Sequence, residues 1–98
     1  MSDKRVWKFP IRITDWQTVS LPVSSRFIHA GPDALGEPAV WAEVFPPEEG
    51  CKDGWAERSI YVVGTGNPMP QGARQHLGSF VIGPFVWHVY ANPLEGVA

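Results

Sequence analysis

The residues of this chain with chemistry to offer are His29, His76, His88, Cys51 and the run Gly64-Thr65-Gly66-Asn67. A metal site that is legible in sequence brings Cys, His or carboxylates together at short spacings such as C-x2-C or H-x3-H. Here the histidines lie far apart and the cysteine is single, so neither a metal ion nor another cofactor is expected. Nucleophilic chemistry at Cys51 would need a lowered thiol pKa, whereas Glu48, Glu49 and Asp53 disfavour the thiolate; Cys51 reads as a loop thiol. There is no G-x-S-x-G elbow and no H-E-x-x-H. His88 lies in Phe85-Val86-Trp87-His88-Val89-Tyr90, where alternation groups it with Val86 and Tyr90, opposite Phe85, Trp87 and Val89. It reads as a strand histidine hydrogen-bonded to a neighbour, and the chain carries no enzyme signature.

The glycine run invites comparison with phosphate-binding loops, because glycine amides approach an anion closely. Met69 stands where a dinucleotide fingerprint needs its third glycine, no Gly-Lys-Ser/Thr follows, and no helix is expected downstream. The glycines therefore read first as a tight, positive-φ exit from a strand. If the chain holds a small ligand such as a nucleotide, the residues to hold it are Thr65, Gly66, Asn67, Arg74 and His76, in the Gly64–Gln71 loop and just beyond it. Five Trp must also be placed. Trp7, Trp41 and Trp87 fall within strands and are expected in or against the core. Trp16 and Trp55 fall at strand starts beside polar loops, and Trp is enriched at binding hot spots; these two are the candidate partner-binding residues.

The elements that must position these residues are strands. Ten Pro and ten Gly are spread along the 98 residues, and the longest stretch without either, Ile11 to Leu21, is rich in β-branched residues, so no helix longer than a turn or two is expected. Trp7, Phe9, Ile11 and Ile13 alternate with polar residues or Pro10, which predicts a first strand reaching Ile13 and, because proline lacks a ladder donor, lying at a sheet edge. Further strands are predicted over Gln17–Leu21, Arg26–Ala30, Ala39–Phe45, Glu57–Gly64, Leu77–Ile82 and Phe85–Ala91. The run Ile60-Tyr61-Val62-Val63 is apolar on both faces, as in a central strand. Pro46 to Gly54, with Cys51, reads as a long exposed loop. Seven short strands bounded by turn chemistry predict an all-β domain, a small antiparallel sandwich or partly open barrel, spanning residues 1–98 with its core between about 6 and 91.

Eight basic and ten acidic residues, with no basic run longer than Lys4-Arg5, argue against nucleic acid as a partner, because such binding rests on many phosphate contacts. A single cysteine excludes an internal disulfide and favours the cytoplasm. No leader-like stretch or membrane-length apolar run is present.

Trp7-Lys8-Phe9, Thr14-Asp15-x-Gln17-Thr18-Val19-x-Leu21-Pro22, Trp41-Ala42-x-Val44, Val63-Gly64-Thr65-Gly66-x-Pro68-x-Pro70, Leu77-Gly78-Ser79 and Phe85-Val86-Trp87-His88-Val89-Tyr90 together resemble a family of small bacteriophage and prophage proteins of unknown function. The resemblance spans about Val6 to Tyr90. In that family the position of Asn67 is usually His, and no catalytic residue is carried over. The resemblance implies a small all-β phage accessory protein in the cytoplasm of the bacterial host. The function expected is a non-enzymatic module that binds a host protein, as inhibitors of host defence systems such as CRISPR do. The alternative is a small-ligand binder or nucleotide sponge using the Gly64–Gln71 loop; placed last is an enzyme with a His-based site assembled at long range, in which His88 would be needed for turnover. Oligomeric state is not readable.

Overall fold

The structure is a computed structural model that describes residues 3–47 and 54–94. Seven strands follow one another: β1 (Arg5–Pro10), β2 (Gln17–Pro22), β3 (Arg26–Pro32), β4 (Pro38–Val44), β5 (Trp55–Gly64), β6 (Gln75–Ile82) and β7 (Phe85–Ala91). They form two antiparallel sheets, ordered β1-β4-β3 and β2-β5-β7-β6, which face each other without closing into a barrel. No helix among the described residues is long and apolar enough to cross a membrane.

Period-two alternation builds the core. Val40, Ala42 and Val44 of β4, all fully buried, meet Val19 and Leu21 of β2, Ile60 and Val62 of β5, and Val89 and Ala91 of β7. Trp7, Phe9 and Trp87 pack against this cluster from its margins. As expected, β1 with Pro10 is an edge strand and β5 is interior.

Several expectations need correction: the third strand runs on past the expected Ala30 to Pro32, and the sixth starts at Gln75 and not at Leu77. The first strand ends at Pro10, and Ile11 reaches the core from outside it, its N–H donating to the Pro38 carbonyl at 3.1 Å. Past Ile11 the chain leaves the sheet because buried Gln17 clips it: Nε2 donates to the Arg12 carbonyl at 2.6 Å and Oε1 accepts from the Arg12 N–H at 3.0 Å. Trp41 is not in the core cluster. The alternation that buries Val40 and Ala42 turns Trp41 to the outer face of its sheet, beside the His29 ring at 5.4 Å. The fifth strand starts at Trp55, two residues before the expected Glu57, because its pairing with β2 runs on to Pro22↔Trp55. Cys51 and its acidic neighbours lie outside the described residues.

The sheets approach most closely where β3 meets β6. Each strand carries a register shift there, at Phe27/His29 in β3 and at His76/Gly78 in β6. A Cβ on Gly78 would stand 2.0 Å from the Ala30 carbonyl oxygen, so only glycine allows this contact. The bulge directs both Leu77 and Phe80 into the core while His76 and Ser79 share the outer face, their register partners being Tyr90 and His88.

Asp33 organises the β3–β4 turn. Its Oδ1 accepts the N–H groups of Leu35 and Glu37 at 2.9 Å, and its Oδ2 meets Lys8 Nζ at 3.1 Å. These bonds, the Glu37 N–H first and then Lys8, hold its carboxyl below the ordinary 3.8. A depressed native pKa contributes stability that is complete above the unfolded value and is lost as pH falls through the native one. Thermal melts from pH ~6 down to ~2.5 should therefore show the wild-type advantage over Asp33→Asn shrinking below pH ~4. A pH-independent difference would show that the carboxylate charge is immaterial.

Candidate functional site

The outer face of the β2-β5-β7-β6 sheet carries a string of polar side chains drawn from β6, β7 and the loop after β5. His88, in the middle of β7, pairs with Val63 on one side and Ser79 on the other. Both of its ring nitrogens are engaged: Nε2 lies 2.8 Å from Thr65 Oγ1 and Nδ1 lies 2.8 Å from Ser79 Oγ. Ser79 Oγ also lies 3.3 Å from His76 Nε2, and the His76 ring packs at 5.1 Å from the Tyr90 ring. Thr65 Oγ1 makes a longer contact, 3.4 Å, with the Val86 carbonyl.

One direction of donation satisfies the whole string. In it Thr65 donates to the Val86 carbonyl, which can only accept, and accepts Nε2–H from His88. His88 Nδ1 then accepts the Ser79 hydroxyl proton, and Ser79 Oγ accepts Nε2–H from His76. Hydrogen bonds open to water contribute little net stability, so this order is not explained by what it adds to folding.

The glycine run behaves as a strand exit. Thr65 N–H closes on Val86 O at 3.2 Å, Asn67 N–H on Gly64 O at 3.0 Å, and Gly66 takes the expected positive φ of 92°. Asn67 lies over Gly64 beside the Trp87 ring, and it separates two open cavities of about 430 Å³ each. One is walled by Asp15, Val63 and Pro68 to Pro70, the other by Thr65 and Pro84 to Trp87.

Of the ligand candidates, the structure joins Thr65 and His76 through His88 and Ser79, whereas Asn67, two residues after Thr65 and just past Gly66, lies against Gly64 and Trp87 and not in the string. Arg74 is exposed, its N–H donating to the Ala91 carbonyl at 3.1 Å, and no contact among the described residues ties its side chain to the string. The partner candidates are not brought together. Trp16, 58% exposed, donates its indole N–H to Ser59 Oγ at 2.9 Å, while Trp55, 45% exposed, stacks on Trp7 at 6.2 Å. No group of three or more His, Cys, Asp or Glu is placed to hold a metal ion among the described residues.

Sequence reasoning gave Ser79 no role beyond its place in the Leu77-Gly78-Ser79 motif, and read His88 first as a strand histidine with a neighbouring hydrogen bond and only last as part of a His-based enzyme site. The signal for Ser79 was Gly78 beside it, because an isolated glycine inside a strand marks a bulge or a close backbone approach. No curated protein and no solved structure matches this chain. A family match, however, covers residues 2–97, and the chain belongs to the family described as Domain of unknown function (DUF7352).

Proposed function

We propose that the protein is a binding module: a small phage-type accessory protein that occupies the surface of a host protein in the host cytoplasm and thereby inhibits a host factor or defence system. The observation that supports this reading is the tip of the β6–β7 hairpin. The last two pairs of that hairpin, Val81↔Val86 and Ile82↔Phe85, extend beyond Gly64↔Trp87, the end of the β5–β7 pairing. All four side chains are exposed, Val81 to 67% and Phe85 to 61%. A two-residue turn with Gly83 at φ 58° and Pro84 after it closes the tip. Clustered apolar side chains left in water mark interaction sites. Trp16 and Trp55 offer further anchors, each already held by an intramolecular partner, which reduces the ordering cost of binding. Trp55 opens β5 and the tip lies past its end, about 30 Å away at ~3.3 Å per residue. One standard interface therefore centres on one end or the other.

To test this, a complex recovered from host lysate is rebuilt from purified components and titrated. Val81→Ser with Phe85→Ser should weaken it by ~2 kcal/mol or more, roughly 30-fold, with melting unchanged. Loss confined to Trp55→Ala would move the contact to the other end of the sheet, loss confined to Trp16→Ala would move it to the middle of β5, and undiminished binding in all these variants would refute the reading.

The two cavities flanking Asn67 favour a second reading, a nucleotide-sized ligand held by the Gly64–Gln71 loop. A thermal-shift screen against nucleotides should then find stabilisation of ~2.7 kcal/mol at a hundredfold excess over Kd, reduced by Thr65→Val and Asn67→Ala. A flat screen would dismiss it.

A further inference from the structure

We propose that Ser79 is a nucleophile, with His88 as its general base, in the hydrolysis of carboxylic esters bearing a small apolar acyl group. This activity lies beyond the binding role and stands or falls separately from it. A weak hydroxyl nucleophile needs a base within hydrogen-bond reach and a third group that orients the base. Ser79 Oγ lies 2.8 Å from Nδ1 of His88, and Thr65 Oγ1 lies 2.8 Å from Nε2. With Thr65 donating to the Val86 carbonyl behind it, His88 carries its proton on Nε2 and turns the Nδ1 lone pair to the Ser79 hydroxyl, the tautomer that the reaction uses. His88 has no nitrogen left for a ligand, which suits a base held in place better than a ligand-binding side chain.

His76 approaches Ser79 from the other side, Nε2 at 3.3 Å from Oγ, where its N–H is a donor for an oxygen gaining charge at the reacting carbon. Val81 and Val86, paired on this same face directly beyond the Ser79↔His88 pair, form the exposed apolar surface over which an acyl chain can lie. The substrate class follows from that surface.

In the first step Ser79 Oγ attacks the ester carbonyl carbon, its proton passes to Nδ1 of His88, and the alcohol or phenolate leaves as the C–O bond breaks. The imidazolium returns that proton to the leaving group or to water. In the second step water attacks the acyl-Ser79, His88 again takes the proton, and the carboxylic acid leaves as Ser79 recovers its own. Water is the only co-reactant, and nothing is oxidised or reduced.

The test uses p-nitrophenyl butyrate with the full chain. Release of nitrophenolate should be accompanied by a butyryl adduct mapped by mass spectrometry to Ser79, and the acetyl ester should react more slowly. Ser79→Ala should abolish both signals. His88→Asn keeps an acceptor near the Nδ1 position but cannot take a proton, and should lower the acylation rate about 100-fold with an unchanged melt. Thr65→Val should also slow acylation, and Thr65→Ser should restore it, which identifies Thr65 as a positioning residue. Turnover that persists in Ser79→Ala, adducts spread over other serines or lysines, equal rates in His88→Asn, or no adduct at all would each overturn the proposal.

Discussion

Gly78→Ala is expected to destabilise the protein by about 3 kcal/mol, the upper part of the range for over-packing a closely packed interior. The added methyl would be placed 2.0 Å from the Ala30 carbonyl oxygen, a backbone atom that cannot swing aside as a flexible side chain would. Relief requires β3 and β6 to separate, and Leu77, Phe80, Phe27 and Ala30, all buried around this contact, would lose packing together. Urea melts of Gly78→Ala beside Ser79→Ala provide the comparison. Ser79 is exposed, and its truncation should stay within about ±0.5 kcal/mol of wild type. Similar midpoints for the two variants would mean that the sheets are not in contact at Gly78.

The second large effect is expected at Trp87. Trp87→Ala should cost about 3 kcal/mol, the lower end for aromatic truncation, because its ring packs against the core and over Gly64 yet keeps one margin in solvent. Against typical domain stabilities of ~5–15 kcal/mol this is enough to leave a large unfolded fraction under mild denaturant. Trp41→Ala should cost nearer ~1 kcal/mol, the common value for a substitution that opens no core cavity. Trp41 meets His29 on the outer face and leaves Val40 and Ala42 to fill the interior. Equilibrium unfolding of both variants checks the order, and a costlier Trp41→Ala would reverse the facing assigned to β4.

These expectations separate what is local from what is not. Strand existence, the edge position of β1 and the two-faced burial of β5 follow from alternation and from the missing N–H of proline, which are properties of neighbouring residues. The positive φ of Gly66 and the Gly83-Pro84 turn are equally local. The facing of Trp41 was legible too: Val40, Ala42 and Val44 set the period, and the size of the indole was the wrong guide. The expected strand through Ile13 failed because Gln17, several residues later, holds Arg12 away from the sheet.

The constellation around His88 was decided only by tertiary structure. Thr65 lies 23 residues before His88 and Ser79 lies 9 before it, and it is the β5-β7-β6 order that makes them neighbours. In an unbroken strand His76 and Ser79, three residues apart, point to opposite faces, so a period-two reading keeps them apart. The bulge at Leu77-Gly78 unites them, and that bulge exists because a strand of the other sheet approaches Gly78 more closely than any side chain permits. The sequence by itself determined the strands and their turns, since those depend on residues a few positions apart. Which polar groups meet depended on strand order, register and the contact between sheets, which connect residues distant along the chain.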